Sequence, residues 1–196
     1  MIPQEYLSSY FVDTKIKNHI LKYLKYDHKF EENKTILHYI TKNKTYKKEE
    51  ISKIFNIIQT LRNLTNNYKP VKIYIYNTNF KKRLPKNKNH KLGPYEINSG
   101  FTSHYNPHLN GDIVIFRKEE LDKVLIHELL HSFKSDWNIH SYNNLNISES
   151  YIDFLAINIY INLFFSKQKL HSYIKYNEMK CAQILQYYNF LISHIN

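Results

Sequence analysis

Two histidines four residues apart, with a glutamate between them, stand in the apolar run VLIHELLHSF at residues 124–133. On a helix, positions i and i+4 share a face. His127 and His131 would then point the same way, one turn apart, and two imidazoles so placed can reach one tetrahedral zinc ion at about 2.0–2.1 Å each. Glu128 lies one residue on and cannot join that row. It borders the open side of the metal, where a general base must sit to take a proton from the metal's water. With 11 histidines in 196 residues, the H-E-x-x-H spacing arises by chance in roughly 3% of shuffled sequences of this composition. The bland alternative is a pair of core histidines satisfied by backbone carbonyls beside a paired glutamate. Burying three such groups without a metal or mutual partners is costly.

A catalytic zinc needs a third protein ligand. The continuation H-E-x-x-H-x-x-G-x-x-H/D fails here, because position 134 is Lys and position 137 is Trp, with Asp136 one residue short of the register. His140 is available in a loop but has no motif around it. Glu149 is the better candidate, eighteen residues after His131 in ISESYIDFLA. Asp153 follows four residues later and shares its helical face. A carboxylate there can accept the N–H of a ligating histidine, fixing its tautomer and raising its basicity. An aspartate within a run as apolar as YIDFLAINIYINLFF (151–165) otherwise lacks a reason to be there. The competing reading makes Glu149 a helix N-terminal acid and Asp153 a solvent-facing break.

HELLH at 127–131 followed by ESYID at 149–153 resembles the gluzincin group of zinc metallopeptidases, with their thermolysin-like pattern of HExxH followed by ExxxD. The resemblance covers about thirty residues, 124–156, and no subfamily is apparent in the rest. It implies one zinc per chain held by His127, His131 and Glu149, with Glu128 as general base and Asp153 as the partner of a zinc-binding histidine. It also implies an α+β, zincin-like fold, in which a small twisted sheet packs beside the active-site helix. The sheet's edge strand runs along bound peptide, a role open to GDIVIF (111–116). Such enzymes use a further His or Tyr to stabilise the oxyanion, and His171, Tyr142 and Tyr151 are candidates by their place in the sequence alone.

These residues require elements to position them. VDTKIKNHILKYLKY (12–26) and EEISKIFNIIQTLRNL (49–64) carry apolar residues at helical spacing. The stretch between them reads equally as a short strand or a short helix. Pro70 ends the pattern, and VKIYIY (71–76) alternates like a strand. A further strand is expected near 99–104 and another at GDIVIF. Helices follow to about Lys134, from an N-cap at Ser148 to about Phe165, and again in the tail YNEMKCAQILQYYNFLISHI (176–195). The expectation is one domain over 1–196, with a helical N-terminal part (1–69) before a part holding the sheet, the active-site helix, the Glu149 helix and a C-terminal helix.

Composition bounds the function classes. A hydrophobic content of 42% with 15% aromatics belongs to a folded chain. The lone Cys181 leaves no intramolecular disulfide and no cysteine-based zinc site. The N-terminal residues lack a basic then apolar leader, so an intracellular setting is expected. No run of eighteen apolar residues predicts a membrane span. The formal charge of +11 raises a nucleic-acid partner. The abundance of Lys, Asn, Ile and Tyr beside only 3 Gly is the bias of an A/T-rich coding sequence, which inflates lysine without selecting for phosphate. The sequence therefore points to a zinc-dependent metallopeptidase, endopeptidase rather than exopeptidase, acting on peptide or protein. The rivals are a basic nucleic-acid-binding domain and a zinc-binding pseudoenzyme or non-peptidase zinc hydrolase.

Overall fold

The computed structural model describes residues 6–83, 93–103, 111–134 and 148–165, with positions 171, 174, 175 and 179. The chain is α+β, built on a five-stranded mixed sheet. Its first two strands, β1 (Tyr26–Glu32) and β2 (Thr35–Thr41), form an antiparallel hairpin inside the part expected to be helical. β2 falls in the stretch that reads equally as strand or helix, so the helical expectation is corrected for β1. β1 escaped notice because YDHKFEE is an edge strand, largely exposed and charged, and charge on an edge blocks pairing with other chains. Asn33 and Lys34 make the turn with φ of 46° and 61°. Two left-handed residues are what a tight hairpin of type I′ needs, and the usual Asn-Gly signal is absent.

α1 (Thr14–Tyr23) starts at Asp13, whose carboxylate accepts the Lys15 N–H at 2.7 Å. α2 (Lys48–Thr65) links β2 to the parallel strand β3 (Val71–Tyr76) and ends on Asn66 in the left-handed region, φ 50°. A short α3 (Pro94–Ile97) leads into β4 (Gly100–Thr102), and β5 (Ile113–Ile115) runs parallel to β3. The sheet order is β1-β2-β3-β5-β4, with β4 antiparallel to β5. GDIVIF therefore is not the sheet's edge. Its residues Ile113–Ile115 are covered on both sides, which is why the run is continuously apolar. Among the described strands the edges are β1 and the three-residue β4.

Strand alternation sorts the core into two halves. Leu37, Tyr39, Val71, Ile73, Ile75, Ile113 and Ile115 meet α2 and α4 (Leu121–Ser132) on one face. Ile40, Tyr74, Tyr76, Val114 and Phe116 meet α1 on the other, with Ile16 and Ile20 fully buried. Each such side chain contributes about 1.5–3 kcal/mol by leaving water. α5 (Ser148–Phe164) packs on α4. Only Ile152, Ala156 and Ile161 of α5 are buried, while Phe154 is 64% exposed, so the helix is not wholly interior as its composition suggests. Among the described residues no helix is long and apolar enough to cross a membrane.

Candidate metal centre

α4 is buried on most of its circumference: Leu121, Val124, Leu125, Ile126, Leu129 and Leu130 all sit in the core. A helix apolar all round belongs inside a protein, and this one carries His127, Glu128 and His131 on its remaining face. The helix stops one residue after His131. Lys134 follows in the left-handed conformation, φ 61°, where a glycine would be the easier residue. The Ser132 hydroxyl donates to the Gly111 carbonyl at 2.8 Å and ties this end of the helix to the start of β5. Because the helix stops there, any further ligand must come from another element. α5 supplies it, held against α4 by Ile152 and Ala156, one helical turn apart.

Four polar groups converge there. His127 Nε2 and His131 Nε2 lie 3.1 Å apart. Glu149 brings Oε2 to 3.5 Å from His127 Nε2 and Oε1 to 3.5 Å from His131 Nε2. On the far side of its ring, His127 Nδ1 donates to Asp153 Oδ1 at 3.0 Å. With the proton held at Nδ1, the Nε2 lone pair faces His131 and Glu149. Donors about 2.0–2.1 Å from a common tetrahedral ion sit about 3.4 Å from one another. The two histidine nitrogens are 3.1 Å apart and each is 3.5 Å from a different oxygen of Glu149, and with one ligand atom per residue the three lie within 4.8 Å of one another. The three residues thus fit one metal ion, and among the described residues they are the one group of three or more His, Cys, Asp or Glu side chains close enough to hold one. Two imidazoles and one carboxylate are a donor set suited to zinc.

Without an ion the same groups hold one another by charge. Burial works against protonation of His127, but hydrogen bonds to Asp153 and Glu149 overcome it and raise its pKa to about 9. His131 is also raised, burial again opposing and Glu149 prevailing. The two histidines hold Glu149 well below the usual carboxylate range, and His127 depresses Asp153. Glu128 goes the other way. It is 7% exposed, and burial pushes its carboxyl up against the pull of His127 and of the Thr102 hydroxyl. A carboxylate raised toward neutrality is suited to proton transfer at physiological pH.

The centre opens into a cleft of about 800 Å³ whose walls include β4, Lys82, Lys123, His127, Glu128, His131, Glu149 and Asp153. The sequence had no signal for Thr102. Sheet register puts it opposite Ile113, and its hydroxyl reaches Glu128 Oε2 at 2.8 Å and the Glu128 carbonyl at 2.9 Å. β4 can lie this close because two glycines admit it. A Cβ on Gly111 would stand 1.9 Å from the Ser103 carbonyl oxygen, and one on Gly100 would stand 2.8 Å from that of Val114.

The structure brings His127, Glu128, His131, Glu149 and Asp153 together at one cleft. Tyr151 and His171, considered for oxyanion stabilisation, are exposed, and neither is among the described residues lining it. Tyr142, His140, Cys181 and most of the expected C-terminal helix lie outside the described residues. Comparison with known protein families, curated proteins and solved structures finds no match to this chain.

Proposed function

We propose that this chain is a zinc-dependent metallopeptidase of the gluzincin type, with zinc on His127, His131 and Glu149. One observation carries the reading: three ligand atoms from two helices meet within 4.8 Å, beside a buried glutamate that lines the same cleft. Bound there, zinc would supply a Lewis acid able to polarise a carbonyl and to lower the pKa of a water to about 7. Glu128 takes the proton of the attacking water and delivers it to the leaving amine. Thr102 holds the Glu128 carboxylate toward the cleft, so the base does not search for its position. Asp153 keeps the His127 proton on Nδ1 and its lone pair on Nε2. β4, with no strand on its outer side among the described residues, offers backbone groups along which an extended peptide can lie, in keeping with a zincin-like sheet.

Metal analysis and one conservative variant test the reading together. Purified protein should hold about one zinc per chain, and Glu149→Ala should lose it while His140→Ala keeps it. Glu128→Gln should retain zinc and fold but lose hydrolysis of a quenched peptide library by about 10²–10⁴-fold. Full zinc affinity in Glu149→Ala, lost instead in His140→Ala, would reject the third ligand. Undiminished turnover in Glu128→Gln would reject the general base. Salt-sensitive oligonucleotide binding by a protein that takes up no zinc would replace this reading with a nucleic-acid one.

A further inference from the structure

Lys123 precedes His127 by four residues and His131 by eight, so the three side chains lie along one stripe of α4. At 1.5 Å per residue, Lys123 stands about 6 Å up the helix from His127. Lys82, six residues beyond the end of β3, lines the same cleft from another segment, with its side chain 34% exposed. The cleft's own acids are already engaged: Glu149 with both histidines, Asp153 with His127, and Glu128 with Thr102. Glu120 stands 3.7 Å from Lys82, a partly exposed pair that solvent weakens. Lys123 faces Asp153, which His127 already engages, and no carboxylate among the described residues lies within ion-pair distance of it. Burial pushes the Lys82 ammonium down and Glu120 resists, while Lys123 and Arg117 add repulsion. Lys82 and Lys123 are thus within electrostatic reach of each other in a partly desolvated wall, where Arg117 adds to the positive charge and Glu120 and Asp153, the latter shared with His127, oppose it.

We propose that Lys82 and Lys123 form a carboxylate-binding subsite that selects substrates carrying an acidic group close to the scissile bond. The inference rests on the peptidase reading for what the substrate is, and on the cleft alone for its charge. Extended peptide advances about 3.3–3.4 Å per residue, so the distance from His127 to Lys123 corresponds to about two residues. The acidic group is an Asp or Glu side chain within two residues of the cleaved bond, or the chain's own terminal carboxylate. Phe11 and Phe101, stacked with ring centres 5.4 Å apart, form an apolar stretch of the lining for neighbouring side chains.

The test is fluorescence anisotropy with zinc-loaded Glu128→Gln protein and labelled ten-residue peptides. One Glu is moved through every position, each peptide has a Gln twin, and each is made as free acid and as C-terminal amide. At one or two adjacent positions the Glu peptide should bind about tenfold tighter than its twin, the size of one charge-assisted contact. Lys123→Met and Lys82→Met should each bring that ratio close to one, and Lys123→Glu should reverse it toward a Lys-containing twin. Discrimination that follows the free acid instead assigns the carboxylate to the chain end. Equal affinities throughout, or no binding of any acidic peptide at millimolar concentration, would overturn the subsite. Wild-type turnover separates the two readings. Cleavage without Glu or free-acid preference removes the subsite and leaves the peptidase. Lysine-dependent Glu binding with no cleavage of any peptide leaves the subsite and removes the peptidase.

Discussion

Among the described residues two histidines hold an aspartate through Nδ1 at nearly the same distance, and of these two pairs the one on α4 lines the cleft of the metal centre. In the hairpin, His38 Nδ1 lies 3.0 and 3.1 Å from the two oxygens of Asp27. On α4, His127 Nδ1 lies 3.0 Å from Asp153. Asp27 faces Ile40 in the β1–β2 register, so its partner His38 is the diagonal neighbour across the strands. The His38 ring is stacked on Tyr74, 4.8 Å between centres and 14° between planes, and its contacts are those of a sheet surface. The His127 ring instead turns its second nitrogen toward another histidine and a glutamate. A hydrogen-bonded histidine is therefore not by itself a site. What distinguishes α4 is that the nitrogen left over after the hydrogen bond has two further donors within 3.5 Å.

Removing the rings gives the strongest contrast. If the about 10–16 kcal/mol of a four-ligand zinc site is shared evenly, losing one ligand weakens binding by roughly a hundred- to a thousandfold or more. His127→Ala should show that loss in a competitive chelator titration, and His38→Ala should leave the zinc affinity unchanged. Equal losses would mean the α4 cluster is no more a metal centre than the hairpin pair. The carboxylates come next. Asp153→Asn should lower zinc affinity by about 10–100-fold, because the partner that orients the ring is weakened while every ligand remains. Asp27→Asn should leave zinc affinity alone and reduce stability by about 1 kcal/mol, the net worth of one hydrogen bond between side chains that are 17% and 22% exposed. Chemical denaturation of both variants beside the titration checks the two halves of the claim.

The same contrast shows what the sequence could disclose. His127, Glu128, His131, Glu149 and Asp153 were legible because helical periodicity is local: spacings of four within one helix put side chains on one face without any knowledge of the fold. That the two helices face each other depended on the motif, since packing between α4 and α5 is set by Ile152 and Ala156 meeting α4, which no spacing reveals. Thr102 was not legible at all. It reaches Glu128 through the pairing of β4 with β5 and the close approach allowed by Gly100 and Gly111, all decided across the sheet. The misjudged edge has the same origin. An apolar run like Ile113–Ile115 reports burial on both faces but not which neighbours bury it. The hairpin was hidden for the opposite reason, because β1 has polar residues where an interior strand would be apolar, and its turn uses Asn33-Lys34.

The smallest contrast is in stability against pH, measured on chelator-treated protein. His127 has its pKa raised from 6.5 to about 9 by its carboxylate partners. A raised folded-state pKa means the folded chain binds the proton more tightly than the unfolded one. The stabilisation is then complete below about pH 6.5 and is lost as pH climbs through about 9. Glu149 and Asp153 are depressed, so their share is complete above their ordinary values of 4.5 and 3.8 and is lost as pH falls. From this cluster the metal-free protein should be most stable between those two windows, and its thermal midpoint should fall by a few degrees between pH 6.5 and 9, at about 2–4 °C per kcal/mol for a chain of this size. Saturating zinc should remove that alkaline decline, because ligation needs the histidines unprotonated and so favours the higher pH. His127→Gln should abolish the decline in the metal-free protein, whereas His38→Gln should leave it in place. An alkaline decline of equal size in both variants would place its origin outside the α4–α5 cluster, and the two histidine–carboxylate pairs would then differ in position alone.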